Sequence, residues 1–297
     1  MCNEAVRLVR LDGRVAIVTG AGRGIGAATA RELARLGAAV VVNDVDEAAA
    51  REVADGIGAA GGRASACVAS VTDRDAVSRM AAAADALGGL DILVNNAGLA
   101  SSLPLAQLDA EHFERVADSH MLGTFLCTRA ALPRMLAQRR GRIVNLVSRA
   151  GLIGSPGTAA YAAGKGAVFA FTNVAARDLA GTGITVNALN PAATLTRMVT
   201  SAIDTLAARG GEDARRAHAL RAALQAPEEI APAIAALCAD EAGHVSGQVF
   251  YVARGQLGLF APLAVTQSTP RAASWSADDA LAAIGKLALH PLEEPYR

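Results

Sequence analysis

The chain has 297 residues, and 52% of them are hydrophobic, which is enough to form a large buried core. Its 28 basic and 28 acidic residues give a formal net charge of zero. This balance argues against a nucleic-acid or anionic-lipid partner, because both need a surplus of basic residues on one face. The four cysteines share no metal-ligand spacing, so no metal site is predicted.

The sequence also argues against insertion into a membrane. No run of about 18 uncharged apolar residues occurs, and residues 1–12 lack the apolar core of a signal peptide. Three of the cysteines lie in apolar stretches, where buried free thiols are expected rather than disulfides. We therefore expect a protein of the reducing cytoplasm.

Short apolar runs rich in Val and Ile alternate along the chain with longer Ala-rich segments of helical period. Most of these runs are apolar throughout, which is typical of parallel strands covered on both faces. We predict seven strands, at residues 15–19, 39–43, 64–68, 91–94, 142–147, 184–189 and 248–252. Their alternation with helices predicts an α/β fold, a Rossmann-type doubly wound sheet of seven parallel strands.

Several helix boundaries can be predicted from the sequence. Asp46 is placed to cap a helix that runs to about residue 59. Asp109 begins a long helix that reaches about residue 138, and Pro227 fits the first turn of another, where its missing N–H costs nothing.

The composition changes after Gly255. We therefore predict a single domain over residues 11–255 and a C-terminal extension over residues 256–297, which holds the only tryptophan, Trp275. Within the extension, Ser276 followed by Asp279 could cap one short helix. We expect the extension to lie across its own or a neighbouring subunit rather than to be disordered.

A glycine-rich segment, residues 19–27, directly follows the first predicted strand. Glycines let the backbone approach a pyrophosphate, whose oxygens the first N–H groups of the next helix can bind. A strand before the turn, a helix after it and an acidic residue at the end of the next strand together predict a dinucleotide site. The residues expected to contact the dinucleotide here are Gly20, Gly22, Arg23, Gly24, Ile25 and Gly26.

The acidic residue is Asp44, whose carboxylate can accept hydrogen bonds from the adenosine ribose hydroxyls and would repel a 2′-phosphate. Arg23 acts in the opposite direction, because a guanidinium in the turn can pair with that phosphate. A fixed carboxylate should outweigh an arginine that can swing into solvent. We therefore expect NAD as the cofactor, with NADP as the alternative.

Tyr161 and Lys165 are four residues apart in a helical segment and so share one helix face. An ammonium beside the phenol would favour the phenolate, which makes the tyrosine a better acid and base at neutral pH. Lys165 could also hold the nicotinamide ribose. Ser148 ends a predicted strand, at the sheet edge where α/β proteins bind ligands, and its hydroxyl could bind a substrate oxygen. These three residues are the predicted catalytic group.

Together these motifs resemble the short-chain dehydrogenase/reductase family over residues 11–252. The resemblance rests on the turn at residues 19–26, on Asn95-Asn96-Ala97-Gly98, on Ser148 with Tyr161 and Lys165, and on Asn187 and Pro191. It implies that Asn95 helps to hold the central sheet, that Gly98 leaves room for the cofactor, and that Thr196 contacts the nicotinamide carboxamide. It places further cofactor contacts at Ser70, Val71, Ala97, Pro191 and Thr194.

The sequence departs from the family pattern at three positions. His120 stands where the family usually has an asparagine that holds a water of the proton relay. An imidazole can also hold a water or move a proton near neutral pH, so His120 is a fourth candidate catalytic residue. The alternative is a buried histidine with a structural role only. Ser70 replaces an aspartate that reaches the adenine, and Ala192 replaces a glycine after Pro191.

The resemblance implies an NAD(P)-dependent alcohol dehydrogenase or ketoreductase with a mobile helical lid at residues 196–226. Apolar lid residues predict a hydrophobic secondary alcohol or ketone, such as a 3-hydroxyacyl thioester, a steroid- or terpene-like ring or a polyketide: Met198, Ile203, Leu206, Leu220 and Leu224. Residues 99–105 would form the opposite wall. Short segments of the sequence are similar to the 3-hydroxyacyl-CoA and 17β-hydroxysteroid multifunctional subgroup of this family.

Two other functions remain open from the sequence, namely non-redox chemistry such as dehydration or cyclisation on the same fold, and nucleotide binding without catalysis. By resemblance, the long helices at residues 109–138 and 159–180 pair between subunits, so a homodimer or homotetramer is expected.

Overall fold

The computed structural model describes residues 9–270 and 274–288, with the side chains of all of them except residues 197, 198, 201 and 202. The expected apolar role of Met198 concerns one of these side chains and so lies outside what the structure describes. The described residues form an α/β fold around one sheet of eight strands in the order β3-β2-β1-β4-β5-β6-β7-β8. The strands are β1 Val15–Val18, β2 Ala39–Asp44, β3 Arg63–Val68, β4 Ile92–Asn95, β5 Gly141–Leu146, β6 Ile184–Pro191, β7 Val249–Ala253 and β8 Gln256–Leu259.

The sheet contains one strand more than the seven predicted. The first seven strands are parallel, and β8 pairs antiparallel with β7. The two strands are joined by Arg254 and Gly255, whose φ angles of 26° and 74° are both positive, as a type I′ hairpin turn requires. β8 lies at the sheet edge, and its side chains are mostly exposed. It forms through backbone pairing, so its four residues did not stand out in the sequence as a buried apolar run.

The helices lie between the strands largely where the sequence predicts them. They are α1 Gly24–Arg35, α2 Glu47–Ala59, α3 Arg74–Asp85, α4 Ala110–Ala137, α5 Arg149–Ile153, α6 Ala159–Asp178, α7 Arg197–Ala207, α8 Gly211–Ala222, α9 Ala231–Cys238 and α10 Ala277–Ile284. The predicted caps are confirmed, since Asp46, Asp109 and Ser276 accept hydrogen bonds from backbone N–H groups of the first turns of α2, α4 and α10. Pro227 instead begins a single 3₁₀ turn ahead of α9. Within the described part of the chain, no helix has the length and apolar character needed to cross a bilayer.

Two apolar layers cover the sheet. Alternate strand residues, such as Val40 and Val42, pack on one face against α1, α2 and α9. Their neighbours along the same strands, such as Ala39 and Val41, pack on the other face against α3, α4 and α6. Burial on both faces explains why the central strands β1, β2, β4, β5 and β6 are mostly apolar, whereas the edge strand β3 is partly exposed and mixed in composition.

The chain divides into two compact units. The first ends at Leu259 and the second begins at Phe260. The sheet therefore continues past Gly255, because residues 256–259 form β8. In the second unit, Ser276 caps α10, as expected for the extension, with Asp279 N donating to Ser276 Oγ at 3.2 Å.

A charged cluster lies at the amino ends of three strands, on the edge opposite to the carboxyl ends. Asp91 Oδ2 accepts from Val15 N at 2.9 Å, and Asp91 Oδ1 accepts from Arg140 Nη1 at 2.5 Å. Arg140 also pairs with Asp240 at 2.7 Å, and Arg14 pairs with Asp240 at 2.8 Å. Asp91 is buried, so removal of its charge leaves the Arg140 guanidinium without its closest partner in a poorly solvated place.

We expect Asp91→Asn to lower the free energy of unfolding by about 2 kcal/mol, since an asparagine oxygen still accepts from Val15 N but no longer carries the charge. Urea unfolding followed by circular dichroism measures this change. The control is Glu47→Gln, which breaks an exposed ion pair with Arg51 and should leave the midpoint unchanged. Equal effects of the two substitutions would contradict a stabilising role for the buried cluster.

Candidate active site

A cleft of about 530 Å³ opens at the carboxyl ends of the strands. It begins at the turn after β1 and ends beside α6, and it brings together residues that are far apart in the sequence. The predicted residues that line it are Gly20, Arg23, Gly24, Ile25, Asp44, Ser70, Val71, Ala97, Gly98, His120, Tyr161, Lys165, Pro191 and Thr196. Most of the predicted contact residues therefore share one cavity.

The glycine turn is held in place by the end of β4. Asn96 Nδ2 donates to the carbonyl oxygens of Thr19 and Gly20 at 2.9 and 3.0 Å. Thr19 Oγ1 accepts from Asn96 N and Ala97 N at 3.0 and 3.1 Å. A Cβ at Gly26 would lie 2.2 Å from the Gly20 oxygen, so this glycine is required by packing inside the protein. The turn is therefore rigid before any phosphate arrives.

Asp44 is fixed at the end of β2 by two backbone donors. Its Oδ2 accepts from Gly22 N at 2.9 Å and its Oδ1 accepts from Asp46 N at 3.1 Å. A Cβ at Gly22 would lie 2.9 Å from Asp44 Oδ2, so the missing side chain makes room for the carboxylate. Each oxygen keeps a lone pair that can accept from a ribose hydroxyl.

Arg23, which could favour a 2′-phosphate, is engaged elsewhere. Its Nη2 donates to Asp46 Oδ2 at 2.6 Å. Asp46 also accepts from Ala49 N, and this backbone bond together with the Arg23 guanidinium lowers the pKa of the Asp46 carboxyl. The ion pair draws Arg23 towards the start of α2.

Tyr161 lies in the first half of α6, and Ser148 lies just before α5, at the end of β5. The neighbouring Ser148 hydroxyl lowers the pKa of Tyr161, but burial has the larger effect and raises it. The pKa of Tyr161 is therefore raised in the protein alone, which contradicts the expected lowering by the Lys165 ammonium. Ser148 Oγ also accepts from Ala150 N at 3.2 Å, which fixes its orientation.

Lys165 is buried one helical turn beyond Tyr161, with 6% of its surface exposed. Its Nζ donates to the carbonyl oxygen of Leu146, at the end of β5, at 2.6 Å. Burial lowers the pKa of Lys165 to about 8, so the ammonium form still predominates at pH 7. The two remaining N–H bonds can be donated to hydroxyl groups in the cleft.

His120 lies next to these residues but is not suited to move a proton as an imidazolium. Its ring centroid is 5.1 Å from that of Tyr161, in an edge-to-face arrangement. Burial, and secondarily the charge of Lys165, lower the pKa of His120 to about 3. The ring is therefore neutral near pH 7, which does not support the expected shuttle role. A Cβ at Gly98 would lie 1.9 Å from His120 Cε1, so Gly98 leaves room for this ring.

Two predicted residues support the site from outside the cleft surface. Asn95 is buried and donates to Asn145 Oδ1 at 2.8 Å and to Thr128 Oγ1 at 3.2 Å, which joins β4 to β5 and α4. Thr194 is also buried, and its hydroxyl donates to Ala192 O at 2.7 Å. Its side chain therefore braces the loop after β6, in place of the cofactor contact that we expected.

The remaining predicted residues have separate roles. Thr196 caps α7, with Val199 N donating to its Oγ1 at 3.4 Å, and it also lines the cleft. Ser70, expected near the adenine, lines the cleft and shares a hydrogen bond of 2.9 Å with the Thr72 hydroxyl. No group of three or more potential ligand side chains that could hold a metal ion occurs among residues 9–270 and 274–288.

The sequence analysis missed several residues that line the cleft. They include Asn96, Arg115, Ser119, Leu146 and Val147, whereas Leu99 belongs to the predicted wall at residues 99–105. Asn96 could have been found, because it is the second asparagine of the quoted Asn95-Asn96 pair. Ser119 and Arg115 could not, because they precede His120 on a helix whose rotation relative to the sheet depends on tertiary packing.

The site fits a dinucleotide on the evidence of the chain itself. The glycine turn is preformed at the start of a helix, and Asp44 is oriented beside it. The Ser148 hydroxyl, the Tyr161 phenol and the Lys165 ammonium lie farther along the same carboxyl edge of the sheet.

Comparisons with known proteins agree with this geometry. A sequence model of the family described as short chain dehydrogenase matches residues 14–207. The chain is 39% identical over 253 residues to a 3-oxoacyl-(acyl-carrier-protein) reductase of Synechocystis, covering 84% of this chain and 99% of the relative. It is 43% identical over 247 residues to a cis-4-hydroxycyclohexanecarboxylate dehydrogenase of Sinomonas cyclohexanicum, covering 82% and 96%.

A solved structure of a short chain dehydrogenase from Mycobacterium avium superposes with a TM-score of 0.79 at 34% identity, covering 94% of this chain and 96% of that chain. The extent of these matches and the shared site geometry lead to one conclusion. The chain belongs to the short-chain dehydrogenase family and is an NAD(P)-dependent oxidoreductase.

Proposed function

We propose that the protein interconverts a hydrophobic secondary alcohol and its ketone by hydride transfer, with NAD as the cofactor and Tyr161 as the general acid and base. The observation that supports this most directly is the placement of Tyr161 and the buried Lys165 in the same cleft as the glycine turn, with Ser148 close enough to Tyr161 to affect its pKa. The two relatives described above act, by their names, on a 3-oxoacyl group and on a hydroxycyclohexane ring. Both are alcohol–ketone couples.

In the direction of reduction, the Tyr161 hydroxyl donates its proton to the carbonyl oxygen of the substrate. Ser148 lowers the pKa of the same phenol, so its hydroxyl stabilises the phenolate that remains and can also bind the substrate oxygen. The nicotinamide, when bound, supplies the hydride to the carbonyl carbon. Lys165 donates to the nicotinamide ribose from a position fixed by Leu146 O. One hydride and one proton are thereby added across the C=O bond.

The proposed substrate site has apolar walls. Leu99, Leu146 and Val147 line the cleft that contains Tyr161. Residues 196–226 fit the proposed lid, because both ends of this segment meet at Gln225: Leu195 N donates to Gln225 O at 2.7 Å, and Gln225 N donates to Ala193 O at 3.1 Å. A segment with joined ends can move as one body. Thr194, at this junction, would belong to the hinge.

Tyr161→Phe tests the proposed acid. We expect kcat to fall by about 10³-fold while the Kd for NADH stays within about threefold, because only the proton donor is removed and the ring against His120 remains. The assay follows absorbance at 340 nm with NADH and a panel of acetoacetyl-CoA and 4-oxocyclohexanecarboxylate.

The matched control is Tyr251→Phe on β7, which removes a phenol hydroxyl outside the cleft and should keep the wild-type rate. Retained turnover in Tyr161→Phe would refute Tyr161 as the acid. A wild-type protein that consumes no NADH with any ketone would refute the proposed reaction.

The preference for NAD rests on two carboxylates. Asp44 occupies the side of the turn where a 2′-phosphate would lie, and Asp46 engages Arg23, the cation that could bind this phosphate. We expect kcat/KM to be at least about tenfold higher with NADH than with NADPH, because like charges repel at short range. A tenfold preference for NADPH would overturn this assignment.

Asp46→Asn should improve kcat/KM for NADPH by about threefold, since the asparagine still caps α2 but an exposed ion pair that holds Arg23 is weakened. Asp109→Asn makes the same change at the cap of α4 and should leave the ratio of the two cofactors unaltered. An equal response of both variants would show that Arg23 plays no part in the choice.

The proposed oligomer is a homodimer or homotetramer built on α4 and α6. These helices expose large apolar side chains, among them Met121 (46% exposed), Phe125 (40%) and Val174 (56%). Phe125 also contacts Phe171 edge to face, at 6.3 Å between centroids, so the apolar residues of the two helices adjoin. Exposed apolar patches of this kind mark protein interfaces.

Light scattering should give a mass of two or four chains of 30.1 kDa. Val174→Arg should shift the mass towards one chain, because burying an unpaired guanidinium in an apolar interface is costly. Val68→Arg, at an exposed position of β3, serves as the control and should keep the oligomer. A single-chain mass for the unmodified protein would contradict the proposal.

A further inference from the structure

The backbone of Leu99 is held on both sides by two adjacent residues of α4. Leu99 N donates to Ser119 Oγ at 3.0 Å, and Leu99 O accepts from His120 Nε2 at 2.9 Å. The Ser119 hydroxyl donates its own hydrogen to Val116 O at 2.7 Å, so its lone pairs are free to accept from Leu99. Leu99 begins the loop after β4 that forms one wall of the cleft.

The His120 ring fills a slot between two glycines. A Cβ at Gly98 would lie 1.9 Å from His120 Cε1, and a Cβ at Gly164 would lie 3.0 Å from His120 Cβ. Gly98 belongs to the segment after β4 and Gly164 to α6, so the ring touches both walls of the site. The His120 ring also packs edge to face against the ring of Tyr161, the proposed acid.

The hydrogen bond fixes the chemical state of this ring. Because a carbonyl oxygen can only accept, Nε2 carries the hydrogen, and Nδ1 is a buried acceptor that has no hydrogen-bond partner among the described residues. Two titratable groups of α6 act on the ring: Tyr161 contacts it edge to face, and the charge of Lys165 lowers its pKa. Burial, and secondarily the cation at Lys165, lower the pKa of His120, so the imidazole stays neutral.

We propose that Ser119 and His120 act together as positioning residues, which hold the loop at Leu99 and the ring of Tyr161 in register for the substrate. Ser119 fixes the loop through the Leu99 amide. His120 fixes the loop through the Leu99 carbonyl and packs edge to face against the ring of Tyr161. This role rests on the proposed function, because it takes Tyr161 to be the acid, but the hold on Leu99 can be measured without any substrate.

Hydrogen exchange of the protein alone tests the hold on the loop. In Ser119→Ala, amide exchange in a peptide that contains Leu99 should become about fivefold faster, as expected when one hydrogen bond is lost. Ser78→Ala is the matched control, since Ser78 also donates to a carbonyl of its own helix but binds no loop. Unchanged exchange at Leu99 in Ser119→Ala would overturn the proposal.

Kinetics with the ketone panel tests the role of His120. His120→Leu, which fills part of the slot but has no donor, should lower kcat by about tenfold and raise KM for the ketone, because the reacting groups lose alignment. His120→Gln, which can place an N–H near the position of Nε2, should restore most of this loss and keep the wild-type pH profile. Binding of NADH, measured by fluorescence, should be within about twofold in both variants and so shows that the fold is intact.

Two results would overturn this role. If His120→Gln is as inactive as His120→Leu and its pH profile changes, His120 moves a proton. If both variants keep the wild-type kcat and KM, the ring has no effect on the site. Should the wild-type protein reduce no ketone, the proposed function fails, and the exchange experiment still decides whether Ser119 holds the loop.

Discussion

The site depends on the tie between the turn after β1 and the end of β4. These two strands are neighbours at the point where the strand order reverses, so the loops that leave them diverge towards opposite faces of the sheet. The hydrogen bonds of Asn96 and Thr19 close the base of the resulting crevice. Without them the glycine turn would be free to move, and neither Asp44 nor the start of α1 would keep a defined relation to the chemical groups on α6.

Sequence analysis succeeded where a local physical rule decides the structure. Most of the parallel strands are buried on both faces, so continuous apolar runs identified them, and the aspartate at the start of α2 was correctly assigned as a cap. The glycine turn and the pairing of Tyr161 with Lys165 follow from fixed spacings along the chain. The comparisons with known proteins then confirmed the family that those spacings resemble.

The remaining features depend on tertiary structure, which spacing alone does not contain. The strand β8 is formed by backbone pairing across a turn at Arg254, a residue type that carries no hairpin signal. The neutral state of His120 comes from its burial beside Lys165, and the orientation of Thr194 from its contact with Ala192. Likewise, the glycine at position 98 is readable as a small residue, but only the fold shows that a ring of this same chain occupies the space.

The charged cluster of Arg14, Asp91, Arg140 and Asp240 has a consequence for how this protein can change. It joins β1, β4 and β5 at their amino ends, whereas the cleft, the Leu99 loop and residues 196–226 lie at the opposite edge. The ion pairs that hold the strands together and the residues that line the cleft therefore lie at opposite edges of the sheet. Loops at the carboxyl edge can acquire new side chains, and with them new substrates, while the ion pairs at the amino edge keep the strands together.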